Sequence, residues 1–159
     1  MRRLALVLAL VAPSAALADL TVTFRDGAPK DRFAISYDGA CTLERLDVQI
    51  DLGAAPAGLI FDTTSAGAGV EVFQPLEWVV GTASTSDVTD GDTLLSMSLD
   101  NVTPGAAWAF TVDIDDTTST RQITVDRSEM AGALVRVEGQ AAPFDANGRA
   151  TVSLQNCLS

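Results

Sequence analysis

Three aspartates stand within four residues in the segment FTVDIDDT, at Asp113, Asp115 and Asp116. Carboxylates this close repel one another unless a cation, a proton or solvent screens them. Carboxylates and loop carbonyls are the ligands that a hard cation such as calcium takes several at a time. Period-two alternation sets Asp113 and Asp115 on one face of an extended chain, and Asp116 starts the turn. A second acidic loop, DVTDGD, carries Asp87, Asp90 and Asp92. These six aspartates are the candidate calcium ligands, the first three ahead of the second. Neither group is an EF-hand loop. Counted from Asp113, the sixth position is Thr118 where Gly makes the sharp turn, and the twelfth is Thr124 where Glu should chelate. A calcium site here would be built between strands. The alternative is a set of solvated acids at a strand end.

Other chemistry is more restricted. The chain has no histidine, which removes the usual Ser-His and Cys-His nucleophile systems and the usual zinc sites. A carboxylate pair could still run glycoside hydrolysis, yet 21 acids give no means of choosing two. The segment LIFDTTSAG puts Asp62-Thr63 after an apolar run, as aspartic proteases do. Thr64 follows where those enzymes place Gly or Ser, and a second Asp would be needed to share a proton. Ending a strand is the simpler role for Asp62. Trp78 and Tyr37 could stack on a sugar, although core packing or a sheet-edge anchor accounts for them better. The expectation is no enzymatic activity, with a small aspartic-type or other carboxylate hydrolase as the alternative.

The elements that must position these residues alternate with period two, and long helical periodicity is absent. In LDVQIDL, Leu46, Val48, Ile50 and Leu52 face one way and Asp47, Gln49 and Asp51 the other. Leu95, Met97 and Leu99 form a second apolar face, and Trp108, Phe110, Val112 and Ile114 a third. Further strands are predicted at 20–24, 32–37, 121–125, 133–138 and 149–155. Asp26-Gly27, Asp38-Gly39, Asp90-Gly91 and Asn147-Gly148 are turn dipeptides that favour positive φ, the last a hairpin signal. Flexible loops are expected at 64–71 and 81–92. About nine or ten short strands at this spacing predict an all-β fold, a single-domain antiparallel sandwich of two sheets.

The ends and the charge bound the setting. Residues 1–18 have a basic start at Arg2 and Arg3, an apolar run and small residues at Ala16 and Ala18. They read as a cleavable signal peptide with cleavage after Ala18, which leaves residues 19–159 as the β-sandwich domain of a secreted or periplasmic protein. No later segment is long enough to span a bilayer as a helix, so membrane insertion is not expected. With the two signal arginines removed, eight bases face 21 acids and the formal charge is −13. Residues 46–120 contain no base at all. Such a field repels nucleic acid, which is therefore not an expected partner, and it draws cations. Solubility alone is the other use for it. Cys41 and Cys157 are the only cysteines, and in an oxidising compartment they are expected to bridge. Closing so long a loop would stabilise by about 5 kcal/mol in the chain-entropy picture.

Three stretches together carry a resemblance: GLIFDTTSAGAGVEVFQP, PGAAWAFTVDIDDT and SEMAGALVRV. They resemble short secreted bacterial proteins similar to the aggregation factor core protein of marine sponges. The matching positions are Phe61-Asp62, then Phe110, Asp113, Ile114 and Asp115, then Gly132-Ala133. The resemblance implies an extracellular β-rich module linked to calcium-dependent adhesion, with a protein or glycan surface as partner. The function expected is therefore a non-enzymatic, adhesion-like surface-interaction module, calcium its only cofactor. A passive periplasmic or envelope component is the third class.

Overall fold

Alternating apolar residues do become strands, and the strands become two antiparallel sheets. The structure, a computed structural model, describes residues 18–65, 72–118 and 125–154. In chain order the strands are β1 (Ala18–Arg25), β2 (Asp31–Asp38), β3 (Leu43–Asp51), β4 (Leu59–Asp62), β5 (Glu77–Val80) and β6 (Ser84–Thr85). β7 (Leu94–Val102), β8 (Ala107–Asp116), β9 (Leu134–Val137), β10 (Gln140–Pro143) and β11 (Arg149–Leu154) complete them. One sheet runs β11-β1-β2-β8-β4, with β5 also paired to β8; the other runs β10-β9-β3-β7-β6. All the pairings are antiparallel, as expected of sheets that bury one face and wet the other.

The core lies between the sheets. Leu46, Val48, Ile50 and Leu52 are buried from β3 and the short 3-10 turn after it, and Leu95, Met97 and Leu99 are buried from β7. They face Trp108, Phe110, Val112 and Ile114 of β8 and Leu20, Val22 and Phe24 of β1 in one cluster. Phe33 is the hub: its ring stacks on Phe110 at 5.1 Å and meets Phe24 at 5.2 Å and Phe144 at 6.4 Å. Each fully buried Leu, Ile or Phe contributes about 1.5–3 kcal/mol, and the core contains more than a dozen. The sandwich is thus held chiefly by this layer. Tyr37 belongs to it too, fully buried, with its hydroxyl donating to the Cys41 carbonyl at 2.9 Å.

Two expectations need correction. Asn147-Gly148 does not join a paired hairpin. β10 pairs with β9 and β11 with β1, so the chain changes sheets there. The turn itself is tight: the Asp145 carboxylate accepts from the backbone N–H of Asn147 at 2.8 Å and of Arg149 at 3.0 Å, and Gly148 has φ of 69°. A local turn signal cannot say whether its two arms belong to one sheet. Gly27 lacks the positive φ expected of it, and so does Gly39. Its need is steric, since a Cβ there would come within 2.1 Å of the Tyr37 hydroxyl. Residues 1–17, the strand predicted over most of 121–125, much of the 64–71 loop and Cys157 lie outside the described residues.

Candidate functional site

The long strand β8 makes the site by outrunning its neighbour. β2 begins at Asp31, opposite Val112. Beyond that point β8 continues through Asp116 and pairs with β4, which sets Asp62 directly opposite Asp113 and Ile60 opposite Asp115. Directly opposed residues share a face, as do residues two apart on one strand. Asp62, Asp113 and Asp115 are therefore gathered on one face. A carboxylate oxygen from each lies within 4.8 Å of the other two. Like charges directly opposed across a ladder destabilise it, so this arrangement needs compensation.

Burial sharpens the point. Asp62 has no exposed surface, Asp115 is 3% exposed, and Asp113 is only partly covered. The outward-facing acids expected of a solvated strand end are thus largely withdrawn from water, because β4 and the returning chain at Gln74 lie against this part of β8. Desolvation and the charges of Asp115 and Asp62 push Asp113 up to about 7, against weaker help from the Ile114 N–H and Lys30. Asp31 is affected in the same way. Burial raises it to about 7, although its carboxylate accepts from the N–H of Gly27 at 3.0 Å and of Ile114 at 3.2 Å. Its second bond continues the ladder where the β2 backbone ends: the side chain takes the Ile114 donor that a further strand residue would have taken.

The turn after Asp62 is fixed by Asp90. One carboxylate oxygen accepts from the backbone N–H groups of Thr63 and Thr64, each at 2.7 Å, and from the Thr63 hydroxyl at 3.3 Å. The other accepts from the Thr64 hydroxyl. Burial raises the Asp90 carboxyl, but these hydrogen bonds from Thr64 and Thr63 together outweigh it and hold it below its ordinary value. The backbone of the same loop runs along β4, with Phe61 donating to the Asp92 carbonyl at 2.8 Å and Gly91 to the Phe61 carbonyl at 3.0 Å. Thr64, anomalous for an aspartic protease, is accounted for by its bonds to Asp90.

The six expected ligands therefore separate. Asp113 and Asp115 come together, and Asp62 joins them. Asp116 alternates to the opposite side of β8, opposite Leu59, and stands outside the group. Asp90 is committed to the turn. Asp92 caps its own loop, accepting from the Thr89 N–H at 2.7 Å and hydroxyl at 2.9 Å, and Asp87 is exposed. β4 links the two acidic segments, pairing with β8 at 113–116 and bonding the backbone of Gly91 and Asp92 through Phe61.

A residue the sequence did not single out closes the group. Gln74 is 8% exposed, and its side-chain N–H donates to the Asp113 carboxylate at 2.7 Å. Its backbone N–H donates to the Thr63 carbonyl at 3.2 Å, so the returning chain is tied to the turn after Asp62. Next to it Lys30, the only lysine, bonds the Pro75 carbonyl at 3.0 Å and pairs with Glu77. Trp78 is half-buried, with its ring edge-on to Phe110 at 5.2 Å, and Tyr37 lies in the core; the two do not form a sugar platform.

Three buried or half-buried carboxylates with oxygen spacing of this order can bind one hard cation. Ligands at about 2.3–2.6 Å from calcium place their oxygens no more than about 5 Å apart. Among the described residues the group has no nitrogen or sulfur ligand, which disfavours zinc and copper. Among the described residues no helix is long and apolar enough to cross a membrane. No family model, curated protein or solved structure matches the chain.

Proposed function

We propose that the protein is an exported, non-enzymatic surface-interaction module of adhesion-like type, with its sandwich rim fastened by a calcium ion at Asp62, Asp113 and Asp115. One observation carries this: two paired strands bring three carboxylates to one point, where the bare charges oppose folding. Calcium would turn that repulsion into attraction. The chain's formal charge of −11 favours cation uptake at the same time. The resemblance to sponge aggregation factor core proteins points the same way, to calcium-dependent contact with a protein or glycan surface. Residues 1–18 as a signal peptide and a Cys41–Cys157 bridge belong to the same proposal, since both suit a compartment outside the cytoplasm, where calcium is plentiful.

Asp62 is a poor candidate for a hydrolytic pair. It stands opposite a second aspartate, as a shared-proton dyad requires, but with no exposed surface it cannot reach a substrate carbonyl.

The test is thermal unfolding of the purified protein with calcium and with chelator. At one hundred times its dissociation constant, calcium should stabilise by about 2.7 kcal/mol. Identical melting in both conditions would end the calcium proposal. Calcium-dependent retention on protein- or glycan-coated surfaces tests the interaction role, and retention that is absent with and without calcium would refute it.

A further inference from the structure

We infer that Gln74 is the fourth protein ligand of this ion, binding through Oε1 after its carboxamide turns over; the inference rests on the calcium proposal above. Two facts about Gln74 do not fit a purely structural role. Its Oε1 is buried and has no hydrogen-bond partner among the described residues. Yet the other end of the same carboxamide is bonded to Asp113, a member of the acid group. A buried carbonyl oxygen without a donor is rare in folded proteins and destabilising. The unsatisfied acceptor thus belongs to the same carboxamide that contacts the acid group.

A cation resolves both problems with one movement. In the structure the carboxamide turns its N–H₂ toward Asp113, the better partner for an anion. A bound cation would itself offer positive charge to a free acceptor, and rotation about the terminal torsion would exchange N–H₂ for Oε1. That torsion is broad and easily crossed. Amide oxygens are ordinary calcium ligands, and a neutral one suits a group that already supplies three negative charges. The ion would then join three segments: the end of β4 through Asp62, β8 through Asp113 and Asp115, and the chain entering β5 through Gln74. Calcium tolerates ligands fixed by separate segments better than magnesium, which demands near-octahedral geometry and keeps its waters.

The experiment is calorimetric titration of metal-free protein with calcium chloride at pH 8, on wild type, Gln74→Ala and Asp113→Asn. Wild type should bind, Asp113→Asn should lose binding, and Gln74→Ala should bind at least tenfold more weakly. A Gln74→Ala isotherm that overlays wild type overturns the Gln74 assignment and leaves the calcium proposal standing. No binding by wild type overturns both. A second measurement needs no variant. In ¹⁵N-labelled wild type, the Gln74 side-chain NH₂ resonances should shift in step with calcium bound. Resonances unmoved at saturation overturn the assignment.

Discussion

Replacing Asp113 by Asn should reverse its effect on stability according to whether calcium is present. Asn keeps the shape, and its amide oxygen can still accept from the Gln74 side-chain N–H. It removes the charge that faces Asp62 across the ladder and Asp115 along the strand. Without calcium at pH 8, wild-type Asp113 must ionise although its folded pKa is about 7 and its ordinary value 3.8. Three units would correspond to about 4 kcal/mol. Asp113 is partly exposed, and solvent screening reduces the figure to about 1–2 kcal/mol. Asp113→Asn should therefore raise stability by that amount in chelator. In calcium at one hundred times the dissociation constant, wild type gains about 2.7 kcal/mol and the variant gains nothing. The variant should then be the less stable of the two by about 1 kcal/mol. Urea unfolding in the two conditions measures both signs. Destabilisation in chelator would show that the carboxylate itself is needed for folding, and an undiminished calcium gain would remove Asp113 from the site.

Other expectations follow from the same geometry. Asp31 and Asp113 both hold protons in the folded state up to about pH 7 and release them near 3.8 when unfolded, so stability is lost as pH rises between these values. Calcium-free protein should unfold at higher urea at pH 5 than at pH 8, Asp31→Asn should flatten that slope, and a rise toward pH 8 would contradict both. Asp90→Ala should cost about 2–3 kcal/mol, because it leaves the Thr63 and Thr64 donors unpaired, and it should weaken calcium binding by releasing Asp62; unchanged urea midpoints would refute the turn's role. Cys41→Ser should cost about 4–5 kcal/mol if the bridge to Cys157 forms, and two free thiols in the denatured, unreduced wild type would refute the bridge.

Much of the scaffold was legible because it is written locally. Alternation in 46–52, 95–99 and 108–114 gives the buried faces of β3, β7 and β8 residue by residue. β5, β6 and β10 were not legible. They are two to four residues long and mostly exposed or half-exposed, so they lack a periodic signal. The site was half legible. Asp113 and Asp115 follow from their own strand, but the partner that completes them depends on which strand lies alongside. Asp62 stands out in the sequence for its Asp-Thr motif, and only the β4–β8 register shows that it faces Asp113. Asp116 is adjacent to Asp115 in sequence, yet adjacency on a strand means opposite faces. Gln74 gives no signal in sequence: a glutamine before a proline is ordinary, and its meaning comes from burial and from contact with a strand 39 residues away.

The most direct test of the central claim is anomalous diffraction from crystals grown in calcium. The account predicts one peak about 2.3–2.6 Å from carboxylate oxygens of Asp62, Asp113 and Asp115. Well-ordered density for all three side chains with no peak among them would contradict it.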